Sequence, residues 1–156
     1  MNNRYIYKGK RKDNGGWIYG DLIIDQYGKY YIHPNVNAFS VNEYNLAKCI
    51  QMIEVIPETV GQCTGLKDKN GKLIFEGGVL KGFNYPFLSD GEFNYYAVVI
   101  WFENSPAFGI STVKNPQSKV RGISDGNTDF IYDWNSNDWE VIGNIHDNPE
   151  LLEVEK

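Results

Sequence analysis

With 156 residues, 42% hydrophobic and 15% aromatic side chains, the chain can build one packed interior, which sets aside global disorder. A formal charge of −5 argues against a general nucleic-acid coat, which needs an excess of Lys and Arg, while leaving room for a local basic patch. Only Cys49 and Cys63 are present, without CxxC spacing or a neighbouring His pair, so reduced thiols fit better than a disulfide scaffold or a zinc site.

From Arg4 to Ile32 the pattern predicts a three-stranded antiparallel meander. Tyr5-Ile6-Tyr7 opens a strand, Asp13-Asn14-Gly15-Gly16 is a turn cluster, and Trp17 to Ile24 is the returning strand. Gln26-Tyr27-Gly28-Lys29 turns the chain into Tyr30-Tyr31-Ile32, and Pro34 ends the run. Ser40, with Glu43 three residues on, has the form of a capping box for a short helix. Ile50 to Val55 alternates partly and suits a strand, and Pro57 to Gly61 is a connection with room for one tight helical turn. The expectation is a single domain over 1–156, with any subdomain division near 56–61.

The stretch Pro57 to Gly77 is the most informative in the chain. Asn70-Gly71 lies between Leu66 and Leu73-Ile74-Phe75, and predicts a hairpin with a type I′ turn, which needs positive φ at both central residues. Val79 to Phe83 continues as a strand, and a loop with Pro86, Ser89, Asp90 and Gly91 follows. Tyr95 to Phe102 is the most strand-like run, and its near-continuous apolar character predicts burial on both faces. Phe108 to Val113 is the next strand, residues 114–129 form a polar surface excursion, and Trp139 to Ile145 closes the sheet. Asp147 or Asn148 can then cap a short terminal helix, with Pro149 at its first position, Glu150 in its first turn and Leu151 and Leu152 docking it.

The PETVGQ-TGLKDKNGK-I-EG pattern within residues 57–77 resembles the signature of the YopX family, small proteins encoded by bacteriophages and prophages. Arg11-Lys12-Asp13-Asn14-Gly15 before Trp17 and Tyr19-Gly20 is similar to that family's N-terminal strand pair. Val141-Ile142-Gly143-Asn144-Ile145 with Asn148-Pro149-Glu150-Leu151-Leu152 is similar to its ending. Two departures stand out: Gly78 occupies the place of a usual acid and Cys63 the place of a usual aromatic, the first fitting a turn or bulge where glycine is permissive. The resemblance implies a phage or prophage origin and a mostly-β fold (all-β or α+β) with a barrel-like C-terminal part. It carries over no catalytic residues.

The chemistry-bearing candidates are few. Asp133-Trp134-Asn135-Ser136-Asn137-Asp138 alternates oxygen ligands, but Asp138 and Asn144 stand where a calcium loop needs Gly and Glu, so it reads as a polar turn. His33 and His146, Cys49 and Cys63, and Glu54 and Glu58 have no fixed mutual spacing, and read as structural or solvated groups. No phosphate loop, catalytic residue, metal site or cofactor is expected. Arg4, Lys8, Lys10, Arg11 and Lys12, interleaved with Tyr5 and Tyr7, are the best candidate for nucleic-acid contact, against the alternative of lysines protecting a sheet edge. Trp134, inside a polar turn, is the candidate exposed anchor, and Trp101 the candidate core residue. No apolar run approaches the roughly 18–20 residues that span a bilayer, and the N-terminus lacks an apolar signal core. A cytoplasmic protein of a bacterial host is expected, acting through protein contacts or as a homo-oligomer, with nucleic-acid binding as the alternative.

Overall fold

The computed structural model describes residues 3–34, 51–82, 95–114, 128–131 and 138–152. These residues are mostly β, with eleven strands and three short 3₁₀ helices, in two compact units, Met1–Cys63 and Thr64–Lys156. The capping box at Ser40 and Glu43, the loop around Pro86 and most of the 114–129 excursion lie outside the described residues.

In the first unit, a 3₁₀ turn Asn3–Tyr5 precedes β1 (Tyr7–Lys10), so the strand starts later than Tyr5: Ile6 N–H is already committed to Asn3 C=O at 3.0 Å. β2 (Trp17–Ile24) and β3 (Tyr30–Pro34) complete the meander, and β4 (Ile53–Glu54) and the start of β5 (Gly61–Lys67) flank it in the order β4-β3-β2-β1-β5. The sheet also rolls. Val55 N–H donates to Tyr30 C=O on one side of β4, while Lys12 N–H donates to Glu54 C=O and Ile56 N–H to Lys10 C=O on the other. Within the described part of the Ile50–Val55 run, Ile53 and Glu54 are strand and Val55 makes an isolated bridge to Arg11. Ile32 and Val55 are fully buried within this unit. Pro57–Thr59 forms the expected tight turn, with the Thr59 hydroxyl accepting from Lys10 N–H at 2.8 Å.

The chain builds one hairpin turn twice. In Asp25-Gln26-Tyr27-Gly28-Lys29 and in Asp68-Lys69-Asn70-Gly71-Lys72, the glycine N–H donates to the aspartate C=O, and the aspartate N–H donates to the lysine C=O. The same aspartate Oδ1 then accepts two more backbone N–H groups: Tyr27 and Lys29 at the first turn, Asn70 and Lys72 at the second. Gly28 and Gly71 have φ of 77° and 80°, whereas among the described residues no non-glycine residue has positive φ. The type I′ expectation at Asn70-Gly71 is therefore corrected. The loop is a three-residue one, with a turn over Lys69 and Asn70 and a left-handed Gly71. An aspartate able to bind the turn's own amides favours this longer loop over the two-residue one.

The second unit starts with the rest of β5, which turns back at Asp68 into β6 (Leu73–Phe75). Next come β7 (Gly78–Gly82), β8 (Tyr95–Phe102), β9 (Ala107–Lys114), β10 (Thr128–Phe130) and β11 (Trp139–Asn144). They form an antiparallel sheet in the order β10-β9-β8-β7-β11. Among the described residues this sheet is open, with β10 and β11 as its edges, and is not closed into a barrel. β8 is central, and Ala97 and Val99 point from it into a core with Ile74, Leu80, Ile110, Ile131 and Trp139, while Tyr96, Val98 and Ile100 on its other face are only half-buried, which corrects the expectation of burial on both faces. Each large side chain so buried contributes about 1.5–3 kcal/mol. Trp139 lies over its register partner Gly82, where a Cβ would come within 2.7 Å of the indole. In place of the expected terminal helix is a single 3₁₀ turn, Pro149–Leu152.

Candidate functional site

Strand alternation puts Lys8 and Lys10 on one face of β1, beside Trp17 and Tyr19 of β2 in direct register. Both lysines lie over the Trp17 indole, with Nζ 4.9 Å (Lys8) and 5.7 Å (Lys10) from the ring centroid, a cation–π arrangement. Lys8 is 8% exposed, although nothing but its charge was visible in the sequence. Lys12 Nζ meets Glu54 Oε1 at 2.7 Å, and Arg11 grips both oxygens of Asp13 at 2.9 and 2.6 Å. The pKa directions follow. Hydrogen bonding to Lys12 holds Glu54 below the usual carboxylate range and is reciprocated by a raised Lys12, and Asp13 is lowered by Arg11 in the same way.

Lys8, Lys10, Arg11 and Lys12 thus each have an aromatic or acidic neighbour within their own unit. Arg4 lies in the 3₁₀ turn before β1, exposed, and its carbonyl receives the Gln62 amide at 2.8 Å. Arg11, Lys12, Asp13, Gln51, Met52, Ile53 and Glu54 line an open groove of about 400 Å³. Its four charges form the two ion pairs just described, so it presents little net field to a ligand.

A second surface was not anticipated. At the tip of the β2–β3 hairpin, Ile24 is 52% and Tyr27 80% exposed, and Ile23 beside them is 36% exposed. The turn carrying them is fixed by Asp25, whose carboxylate is held low first by the Lys29 N–H and further by Tyr27 N–H. Its Oδ2 also accepts from Tyr31 Oη at 3.4 Å. Two adjacent isoleucines running into an Asp-x-Tyr-Gly turn are the sequence signal for such an apolar tip.

The remaining candidates separate. Trp134 and most of the Asp133–Asp138 loop lie outside the described residues, as does Cys49. Trp101 belongs to the same strand face as Ala97 and Val99 but sits at the strand end. It is 41% exposed and packs edge-on to Phe108 at 4.9 Å, which corrects its reading as a core residue. Cys63 is fully buried, more enclosed than a half-buried filler. His33 pairs in register with Asp21, in a different unit from His146. Glu54 is ion-paired and Glu58 exposed. Gly78 stands where a Cβ would lie 2.8 Å from Phe75 C=O, after the turn residue Gly77 at φ 71°. Among the described residues no group of three or more His, Cys, Asp or Glu is arranged to hold a metal ion, and no helix is long and apolar enough to cross a membrane.

Comparison with known proteins adds three findings. A family model described as YopX protein matches residues 7–153. No curated protein matches the chain. The crystal structure of protein EF1440 from Enterococcus faecalis is similar, at 21% identity and a TM-score of 0.46, over 94% of this chain and 96% of that one.

Proposed function

Because the chain belongs to the YopX family, we propose that it is a non-enzymatic binding or regulatory protein that acts through protein contacts made at the β2–β3 hairpin tip. The observation that carries this reading is the pair Ile24 and Tyr27, more than half exposed on a turn held rigid by Asp25. An apolar tip in water gains free energy when covered, and a tyrosine supplies large contact area at low entropic cost. The same reading assigns the protein a phage or prophage origin, supported by the family membership, and a cytoplasmic setting with a protein partner or a second copy of itself.

The alternative, nucleic-acid binding through Arg4, Lys8, Lys10, Arg11 and Lys12, would compete with Trp17, Asp13 and Glu54 for the last four of these cations. A photo-crosslinking residue placed at Tyr27 and, as a control, at exposed Lys67 tests the proposal in cells of the native host. The expected result is one discrete protein adduct at position 27, lost with Ile24→Ser and absent at position 67. Identical adduct patterns from both positions would overturn it, and an adduct of nucleic acid at position 27 would favour the alternative.

A further inference from the structure

Among the described residues β11 ends its sheet, so one of its sides carries backbone groups with no described strand to bond them. Several of those groups are nonetheless occupied. Lys69 N–H donates to Trp139 C=O at 2.9 Å, and Val141 N–H donates to Asp68 Oδ2 at 2.9 Å. Lys69 Nζ adds an ion pair with Glu140 at 2.7 Å. Past the register shift between Val141 and Gly143, Asn148 takes over. Its N–H donates to Asn144 C=O at 3.0 Å and its Oδ1 accepts from Asn144 N–H at 3.4 Å. Gly143 makes this reach possible, since a Cβ there would lie 2.4 Å from Asn148 Oδ1.

We infer that the Asp68–Lys72 turn and the Asn148 turn are paired guards of a strand-accepting edge, and that releasing them turns β11 into a self-association surface for a second copy of the chain. The geometry of Asp68 separates building the turn from guarding the edge. Oδ1 serves the turn's own amides, and Oδ2 serves only Val141. The occupant follows from the groups exposed. An antiparallel strand presents a C=O opposite an N–H and an N–H opposite a C=O, so the β11 edge of a second copy supplies what Trp139 and Val141 lose, with two-fold symmetry that closes at a dimer.

Asp68→Asn tests this, because it keeps an oxygen for the turn and replaces the Val141 acceptor with a donor. Wild type and variant are compared by sedimentation velocity over a concentration series, and by hydrogen exchange at Val141. In the variant the Val141 amide should exchange about tenfold faster or more, equivalent to about 1.4 kcal/mol. Its sedimentation should shift toward dimer as concentration rises, beyond any shift of the wild type. Val141→Pro, which removes the outward N–H, should reverse that association when combined with Asp68→Asn. Asn148→Ala, which opens only the far end of the edge, should associate in the same direction and serves if Asp68→Asn fails to fold. The inference is overturned if a variant with accelerated exchange at its guarded amide sediments like the wild type, or if its association persists in the Val141→Pro background.

Discussion

Replacing Asp68 and Asp25 by asparagine in parallel compares two copies of one turn that differ in a single duty. At Asp25 the second carboxylate oxygen reaches only a Tyr31 hydroxyl at 3.4 Å, in a turn open to water. At Asp68, 3% exposed, the second oxygen accepts the Val141 N–H at 2.9 Å, and no water can replace it there without a change of packing. Asparagine keeps Oδ1 for the turn in both places. At Asp68 it then sets its amide N–H against the Val141 N–H, so a buried charge-assisted bond is lost and a donor is left unmatched. Such a loss costs about 2–3 kcal/mol, which for a chain of this size lowers Tm by roughly 5–10 °C. Asp25→Asn should leave stability close to that of the wild type. Urea denaturation at low protein concentration, followed by the fluorescence of buried Trp139, reads the effect in the unit where Asp68 acts. An Asp68→Asn midpoint equal to that of Asp25→Asn would refute the assignment of Oδ2 as a structural acceptor.

Three further expectations use the same logic. Gly71→Ala should cost about 1–2 kcal/mol, because alanine must adopt the left-handed region at φ 80°. Asn70→Ala should cost about 0.5 kcal/mol or less, and equal losses in the same denaturation assay would restore a turn with both residues left-handed. Gly82→Ala should cost about 1–3 kcal/mol and change the near-UV circular dichroism of Trp139, whose ring leaves no space for the methyl group; an unchanged spectrum would count against that contact. On acidification, the Lys12–Glu54 pair should weaken. Glu54 is held below its ordinary 4.5, so its contribution is present above that pH and is lost as pH falls through the lower folded value. Glu54→Gln should therefore flatten the stability profile in that acidic window, and a profile identical to the wild type would exclude a role for the pair.

Local chemistry made much of the fold legible. The Trp17–Ile24 strand, the tight turn after Pro57, the central Tyr95–Phe102 strand and the closing strand from Trp139 all follow from residue type and punctuation. What the residues could not show was partnership at long range. Lys8 and Lys10 read as exposed charge because the sequence does not reveal that Trp17, the register partner of Lys10, lies under both of them. Lys12 read as a free cation because Glu54 is forty-two positions away. Trp101 read as core because an apolar run does not reveal that its last residues overhang the packed region. The turn at Asn70-Gly71 departs from the two-residue form for a local reason: the Asp68 carboxylate binds the Asn70 and Lys72 amides and favours the longer loop.

The resemblance-bearing blocks acquire a physical meaning from this arrangement. Asp68, in the turn that Gly71 closes, and Gly143, Asn144 and Asn148 from another block lie along the same edge strand, although more than seventy positions separate Asp68 from Gly143. Each has a requirement that substitution would break: a buried acceptor, a left-handed backbone, a missing Cβ, a side chain that reaches back. A sequence pattern produced by such requirements is held in place by the fold itself, whatever the protein binds. Under the proposed function, specificity would then belong on surfaces free of those requirements, such as the β2–β3 tip. There Asp25 repeats the turn chemistry of Asp68 while leaving Ile24 and Tyr27 in water. If one turn design serves both to close an edge and to present a contact, exchanging the tip residues Ile24 and Tyr27 should change what the protein binds without changing its stability.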